Sequence, residues 1–241
     1  INLLPHERNF ASIFKEYFIL YKPKDIVSGD FYWMEKIESK TFLVLGDCTG
    51  HGVPGSFMTL LGINLLNSII LEGRMTDPGD ILNEMDKRLI DVLPRGSGDT
   101  EINDGMELTL CVIDDNKDEM AFGCAGSRFL IYEQTSFTML KGDNKHIGDP
   151  PTSGFQGYST HYTQFLPENQ LYLFSDGYQD QFGGPNDKKF SFRRILELLE
   201  MNVELSLVKQ RHEFEEDFNA WIASGEQTDD VTIISIKKNE F

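Results

Sequence analysis

Helical and strand-like segments do not alternate along this chain; they are grouped. Short runs rich in aromatic and β-branched residues, bounded by polar turns, occur at Tyr17–Tyr21, Asp30–Ile37 and Thr41–Leu45, and such runs read as strands. From Val53 to Leu71 apolar residues recur at Phe57, Met58, Leu61, Leu65, Leu66 and Ile69, the spacing of a helix. Asp77-Pro78 opens a second helix carrying Ile81, Leu82, Met85, Leu89 and Leu93, with proline at a first-turn position. Pro94 to Asp104 reads as a loop rich in glycine and acid. Strand-like runs follow at Glu107–Ile113, Glu119–Cys124, Arg128–Glu133, Phe137–Leu140, Ser159–Phe165 and Gln170–Phe174. Two more helices, Phe190–Leu199 and Leu205–Trp221, precede a final strand at Val231–Ile236. About ten strands exceed a comfortable single sheet. The predicted class is therefore α+β, with two stacked, mainly antiparallel β-sheets flanked by helices.

No repeat or long linker divides the chain, so residues 17–241 read as a single domain. Residues 1–16, with Leu3, Leu4, Phe10, Ile13 and Phe14 in a loosely helical pattern, read as an N-terminal linker or helix. The first residue is Ile rather than Met, so the chain is read as a piece cut from a larger sensor or signalling protein.

Charge narrows the partners. Twenty-two Lys and Arg stand against 39 Asp and Glu, a formal net charge of −17. Such a surface repels nucleic-acid phosphates and anionic membrane faces alike, leaving basic proteins and metal ions as better-matched partners. Three cysteines without CxxC or zinc spacing indicate a reduced chain. No apolar run reaches about 18 residues and no signal peptide is visible, so no membrane contact is expected of this segment and the expected location is cytoplasmic.

Four acids stand where strands stop or start. Asp30 opens the second strand after Ser28-Gly29, and Asp47 closes the third. Asp176 follows Leu171-Tyr172-Leu173-Phe174-Ser175, and Asp229, with Asp230 beside it, directly precedes Val231-Thr232-Ile233-Ile234. A single Asp in such a place is ordinarily a turn residue. As a set, the four flank runs too apolar for exposed edges, and Gly29, Gly46 and Gly177 leave room for close approach. Carboxylates gathered at sheet rims make an oxygen-lined cavity, and oxygen ligands select hard cations, Mg²⁺ or Mn²⁺.

Other chemistries fit less well. Gly50 to Gly55 matches G-x-G-x-x-G, but the helix from Val53 runs into a second helix, so the βαβ unit of a dinucleotide site is missing. Six positions after Cys48, Cys111 and Cys124 stand Pro54, Lys117 and Leu130, not the arginine of a cysteine-based phosphatase. HExxH, the Gly-x-Ser-x-Gly elbow and the Walker loop are absent.

Four segments taken together resemble the bacterial PPM-type (protein phosphatase 2C-like) serine/threonine phosphatases of the stage II sporulation protein E-like branch. They are Tyr21 to Tyr32 (with Ser28-Gly29-Asp30), Gly46-Asp47-Cys48-Thr49-Gly50-His51-Gly52-Val53-Pro54-Gly55, Phe174-Ser175-Asp176-Gly177, and Thr228-Asp229-Asp230-Val231-Thr232. Phe182-Gly183-Gly184-Pro185 and Lys188-Lys189-Phe190 also resemble this branch, and the likeness covers about residues 17–237. The resemblance implies a two-sheet sandwich and a site for two Mn²⁺ or Mg²⁺ ions. Asp47 would bridge both ions, and the backbone carbonyl of Cys48 would serve one. Asp176 and Asp229 would hold the other, and Asp30 would act through water. Asp47, Asp176 and Asp229 are thus the implied catalytic residues, with His51 a proton donor or loop-shaping residue and Asp230 a supporting one.

The implied activity is Mn/Mg-dependent phosphoprotein phosphatase chemistry by an activated water. The implied partner is a phosphorylated regulator of the anti-anti-sigma kind. A homodimer through the N-terminal helix and first helix pair is also expected, with Phe10, Ile13 and Phe14 either its apolar face or packed on the chain's own core. Two departures from the wider pattern matter. Gly126, in Ala125-Gly126-Ser127-Arg128, stands where eukaryotic relatives carry the Asp that helps a third metal. The basic residue that clamps phosphate in some relatives is assigned to no position. A catalytically silent scaffold module and a metal-dependent phosphodiesterase are the competing readings.

Overall fold

The computed structural model describes residues 4–93, 104–150 and 152–238; most of the expected loop from Pro94 to Asp104 lies outside the described residues. In chain order the elements are α1 (Glu7–Ile13), β1 (Tyr17–Lys22), β2 (Asp30–Ile37), β3 (Lys40–Cys48), α2 (Gly52–Leu66) and α3 (Pro78–Val92). Then come β4 (Met106–Asp114), β5 (Glu119–Ala125), β6 (Arg128–Glu133), β7 (Ser136–Lys141), β8 (His161–Gln164) and β9 (Gln170–Phe174). The last are α4 (Gly177–Asp180), β10 (Phe182–Gly183), β11 (Lys188–Lys189), α5 (Phe192–Asn202), α6 (Leu207–Ile222) and β12 (Val231–Lys237).

Ten of the strands form two five-stranded sheets, ordered β1-β12-β9-β6-β7 and β2-β3-β4-β5-β8, with every ladder antiparallel. This is the expected α+β sandwich. Alternation along each strand builds its three layers. In β3, Leu43 and Leu45 face the other sheet while Phe42 and Val44 face α2 and α3. In β12, Ile234 and Ile236 point between the sheets while Val231 and Ile233 pack under α5 and α6. A period of two that is apolar on both faces requires cover on both faces, and the two helix pairs supply it.

Local chemistry sets the helix bounds. Asp77 caps α3 by accepting from the Asp80 N–H at 3.1 Å, with Pro78 in the first turn. After Leu66, α2 continues through a π-helical stretch, Asn67–Glu72, where the Asn67 Oδ1 accepts from the Trp33 Nε1–H at 2.9 Å.

The sequence reading needs several corrections. The continuous helix Gly52–Glu72 is long and apolar enough, by length and composition, to cross a membrane. Ser56, Thr59, Asn64, Asn67 and Ser68 break its apolar run in sequence, and Met58, Ile63, Leu66, Ile69 and Ile70 pack it into the core. Its outer face leaves Val53, Phe57 and Leu60 exposed. Phe10 and Phe14, candidates for a dimer face, are buried between the sheets; α1 closes the end of its own core, where Phe10 lies edge-on to Tyr32. The short elements α4, β10 and β11 carry too few residues for a period to register. The strand expected over Ser159–Phe165 shrinks to β8.

Candidate metal centre

Strand register gathers the acids. Asp30 lies directly opposite Asp47 in the β2–β3 ladder, and Asp47 lies opposite Glu107 in the β3–β4 ladder. Phe31, Val44 and Leu108 face the helices, so strand alternation turns Asp30, Asp47 and Glu107 toward the other sheet. That sheet answers from β9 and β12, paired Phe174 to Ile233. Just past the pairing, the Ser175 N–H donates to the Thr232 carbonyl at 3.0 Å.

Two carboxylates, Asp30 and Asp47, tie the sheets together. The hydroxyls of Ser175 and Thr232 each donate to Asp30 Oδ2 at 2.6 Å. The Asp176 N–H reaches Asp47 Oδ2 at 3.4 Å. Asp229 accepts from the Asp230 N–H at 2.8 Å. Asp230 itself is buried and accepts from the backbone N–H groups of Lys24, at 2.8 Å, and Gly29, at 2.7 Å. Its place is therefore an anchor that holds the loop ahead of Asp30 against the start of β12.

Gly29 and Gly177 permit this closeness. A Cβ on Gly29 would lie 2.5 Å from the Gly50 carbonyl oxygen and 3.2 Å from that of Cys48. One on Gly177 would lie 1.9 Å from the Asp230 carbonyl oxygen. The Cys48 carbonyl thus packs beside Gly29, while its thiol turns to Thr59, 3.9 Å away, and burial pushes that thiol well above its ordinary pKa. His51 is exposed at the start of α2. Its Nε2 is 2.8 Å from Lys24 Nζ and its Nδ1 is 2.9 Å from Asp25 Oδ2. A lysine ammonium only donates, so Nε2 accepts and Nδ1–H donates to Asp25.

The acids are poised against their own charge. Burial, reinforced by Asp230 and Asp176, pushes Asp30 up to about 7 despite its two hydroxyl donors. Asp47 is raised well above the usual carboxylate range by burial and by Asp30 and Asp176. Asp176 is raised to about 6 by burial, then by Asp229, Asp180 and Glu107. Burial also raises Glu107, while His146 and Arg128 pull it down. Among the described residues no three His, Cys, Asp or Glu side chains already close into a ligand shell. The donor set is nonetheless oxygen-only, partly desolvated and short of positive charge. A hard divalent cation supplies what it lacks, so the residues fit the implied ions.

Reading the sequence for acids at strand ends missed Glu107, which sits within an alternating strand and becomes visible only once register sets it beside Asp47. It also missed Ser175, next to Asp176, and Thr232, two residues beyond Asp230. At Gly126, with φ +72°, an added Cβ would lie 2.1 Å from the His146 ring. The position that the resemblance matched to a third-metal Asp thus holds a glycine under an imidazole.

Two sheets with paired outer helices and an acid rim between them define the class of PPM-type (protein phosphatase 2C-like) phosphatase folds. The sequence pattern of Stage II sporulation protein E (SpoIIE) matches residues 38–239, and the chain belongs to that family. Among solved structures, the SiaA-PP2C domain of Pseudomonas aeruginosa is similar at 29% identity and TM-score 0.86, over 98% of this chain and 91% of that one. The PP2C phosphatase domain with a regulatory-domain fragment of SpoIIE from Bacillus subtilis shares the fold at 18% identity and TM-score 0.73, over 92% and 62% of the two chains. So do the RsbU and RsbW domains of Rv1364c from Mycobacterium tuberculosis, at 18% identity and TM-score 0.73, over 94% and 61%. No curated protein matches the chain.

Proposed function

We propose that this chain removes phosphate from phosphoserine or phosphothreonine in a regulatory protein, at a site for two Mn²⁺ or Mg²⁺ ions. The observation that carries the reading is the convergence of Asp30, Asp47 and Asp176 from two sheets onto one rim, where burial and mutual repulsion raise all three pKa values. Asp47, flanked by Asp30 and Glu107, would be the central ligand, and Asp176 and Asp229 would hold the ions on the side toward β9 and β12. When bound, such ions supply Lewis-acid stabilisation of phosphoryl charge and lower the pKa of water. The chain's own residues orient and balance charge. Ser175 and Thr232 fix the Asp30 carboxylate, and Asp230 holds the Lys24–Gly29 backbone beside it. His51, engaged by Lys24 and Asp25, shapes the loop that leads into α2.

The RsbU and RsbW domains named for a similar structure favour a phosphorylated signalling protein as substrate. A cytoplasmic location and a larger parent protein belong to the same proposal. The exposed Val53, Phe57 and Leu60 of α2 are the face through which two copies would meet. Hydrolysis of a chromogenic phosphomonoester and of a phosphoserine protein, with Mn²⁺ and with chelator, tests the reading. Mn²⁺-dependent turnover supports it. No turnover, together with melting that Mn²⁺ does not change, favours the scaffold reading.

A further inference from the structure

A phosphoryl ester approaching this rim meets a wall of carboxylates. Ions can offset that repulsion at the reacting end, but the outward phosphoryl oxygens also need a donor from the protein. Beside Asp176 lies a cleft of about 120 Å³ whose walls include Glu107, Arg128, Gln179 and Phe192. That volume lies well below the roughly 300–1,000 Å³ of sites for drug-sized ligands, and suits a small anion. Among the described residues lining it, Arg128 is the one cation.

Its posture is preset. The guanidinium carbon stacks 4.7 Å from the centre of the Phe192 ring, and Nη2 donates to Gln179 Oε1 at 3.1 Å. Gln179 belongs to α4, the short turn that begins next to Asp176, so the partner that aims Arg128 is tied to a proposed ligand. Among the described residues no carboxylate lies within ion-pair distance of Arg128, whereas Arg88, Arg193 and Arg211 each have a Glu. Stacking occupies one face of the guanidinium and Gln179 takes one of its five N–H donors. The remaining edge presents the planar fork that matches phosphate oxygens two at a time.

We infer that Arg128 grips the phosphoryl group of the substrate, held in position by Gln179 and Phe192. The inference rests on the phosphatase reading above and assigns the phosphate-clamping residue that the sequence left unplaced.

The test compares wild type with Arg128→Ala, Arg128→Lys and Gln179→Leu. Inorganic phosphate is titrated by calorimetry with and without Mn²⁺, and KM and kcat are measured for p-nitrophenyl phosphate and a phosphoserine peptide. Melting curves check the fold. For Arg128→Ala the expected result is weakening of phosphate binding on the order of tenfold, as for loss of one charge-assisted contact. KM should rise by a similar factor for both substrates, since both carry the same group. Arg128→Lys should recover part of the loss, and Gln179→Leu should move in the same direction by less. Unchanged phosphate affinity in folded Arg128→Ala overturns the inference. So does a KM increase confined to the peptide, which would place Arg128 on the protein part of the substrate. An inactive wild type sinks the phosphatase reading instead, and the phosphate titration then still decides whether Arg128 grips the anion. If Arg128→Ala does not fold, the Lys and Leu variants carry the same comparison.

Discussion

Asp30 and Asp47 face each other across the β2–β3 ladder, two carboxylates as direct cross-strand neighbours. Like charges so placed destabilise a sheet. Here Asp30 meets the hydroxyls of Ser175 and Thr232 on one oxygen, and Asp47 meets an N–H from the other sheet. The pair is a liability for the fold that becomes an asset once a cation lies against it.

Asp47→Asn should therefore separate activity from stability. Metal-dependent phosphatase turnover should fall by at least a hundredfold, as when a central charge of a metal site is lost. The melting temperature of the metal-free protein should hold or rise, because one member of a repelling set has become neutral. Near-normal turnover in the variant would remove Asp47 from the site.

Thr232→Val removes one of the two donors to Asp30. The lost bond should cost about 1–3 kcal/mol of stability at pH 8, measured by denaturant unfolding. Asp30 should then hold its proton to still higher pH, so the pH at which Mn²⁺ half-saturates the protein should move upward. An unshifted midpoint would show that this hydroxyl does not set the charge of Asp30.

The raised carboxyls fix the sign of the pH dependence. Asp30 titrates at about 7 and Asp176 at about 6 in the folded chain, against about 3.9 when unfolded. Between these values the folded state binds more protons than the unfolded one, so this part of the stability falls as pH rises. The metal-free protein should melt lower at pH 8 than at pH 5.5. Mn²⁺ should raise the melting temperature more at pH 8, where protons no longer compete for the same oxygens. Equal Mn²⁺ shifts at both pH values would contradict the assignment.

Asp229→Ala and Asp230→Ala should part company although the residues are adjacent. The first should lower Mn²⁺ affinity with the fold intact. The second strips the acceptor from two backbone N–H groups and should cost about 2–4 kcal/mol, as for bonds to a buried charge. Hydrogen exchange at the Lys24 and Gly29 amides should accelerate in Asp230→Ala alone.

The fold was legible because strand-like and helical runs are grouped and because about ten strands exceed one sheet. The structure adds the reason both sheet faces are covered: Phe42, Val44 and Leu108 pack on one parity and Leu43, Leu45 and Cys111 on the other. The acids were legible because each interrupts an apolar run. Register was not legible, and register is what brings Glu107 beside Asp47 and Asp30 opposite it. Nor could sequence place β12 between β1 and β9, since nothing in Val231–Lys237 encodes its neighbours. Short elements such as Gly177–Asp180 carry no period, so Gln179 and its hold on Arg128 stayed hidden. Phe10 and Phe14 read as a contact face or as core, and only their packing against Tyr32 and the inter-sheet cluster decides for core.

The bond from the Gly29 N–H to Asp230 Oδ2 joins residues 201 positions apart in the chain, and β12 is the strand that β1 and β9 both need as a neighbour. On the ribosome, the early-made β1, β2 and β3 must therefore wait for residues 229–237 before the rim can close. Long-range pairing of this kind is slow to form, and Asp30 and Asp47 are made long before Asp176 and Asp229. The acid rim is thus the last part of the fold to be completed, since two of its four aspartates arrive only with the final third of the chain.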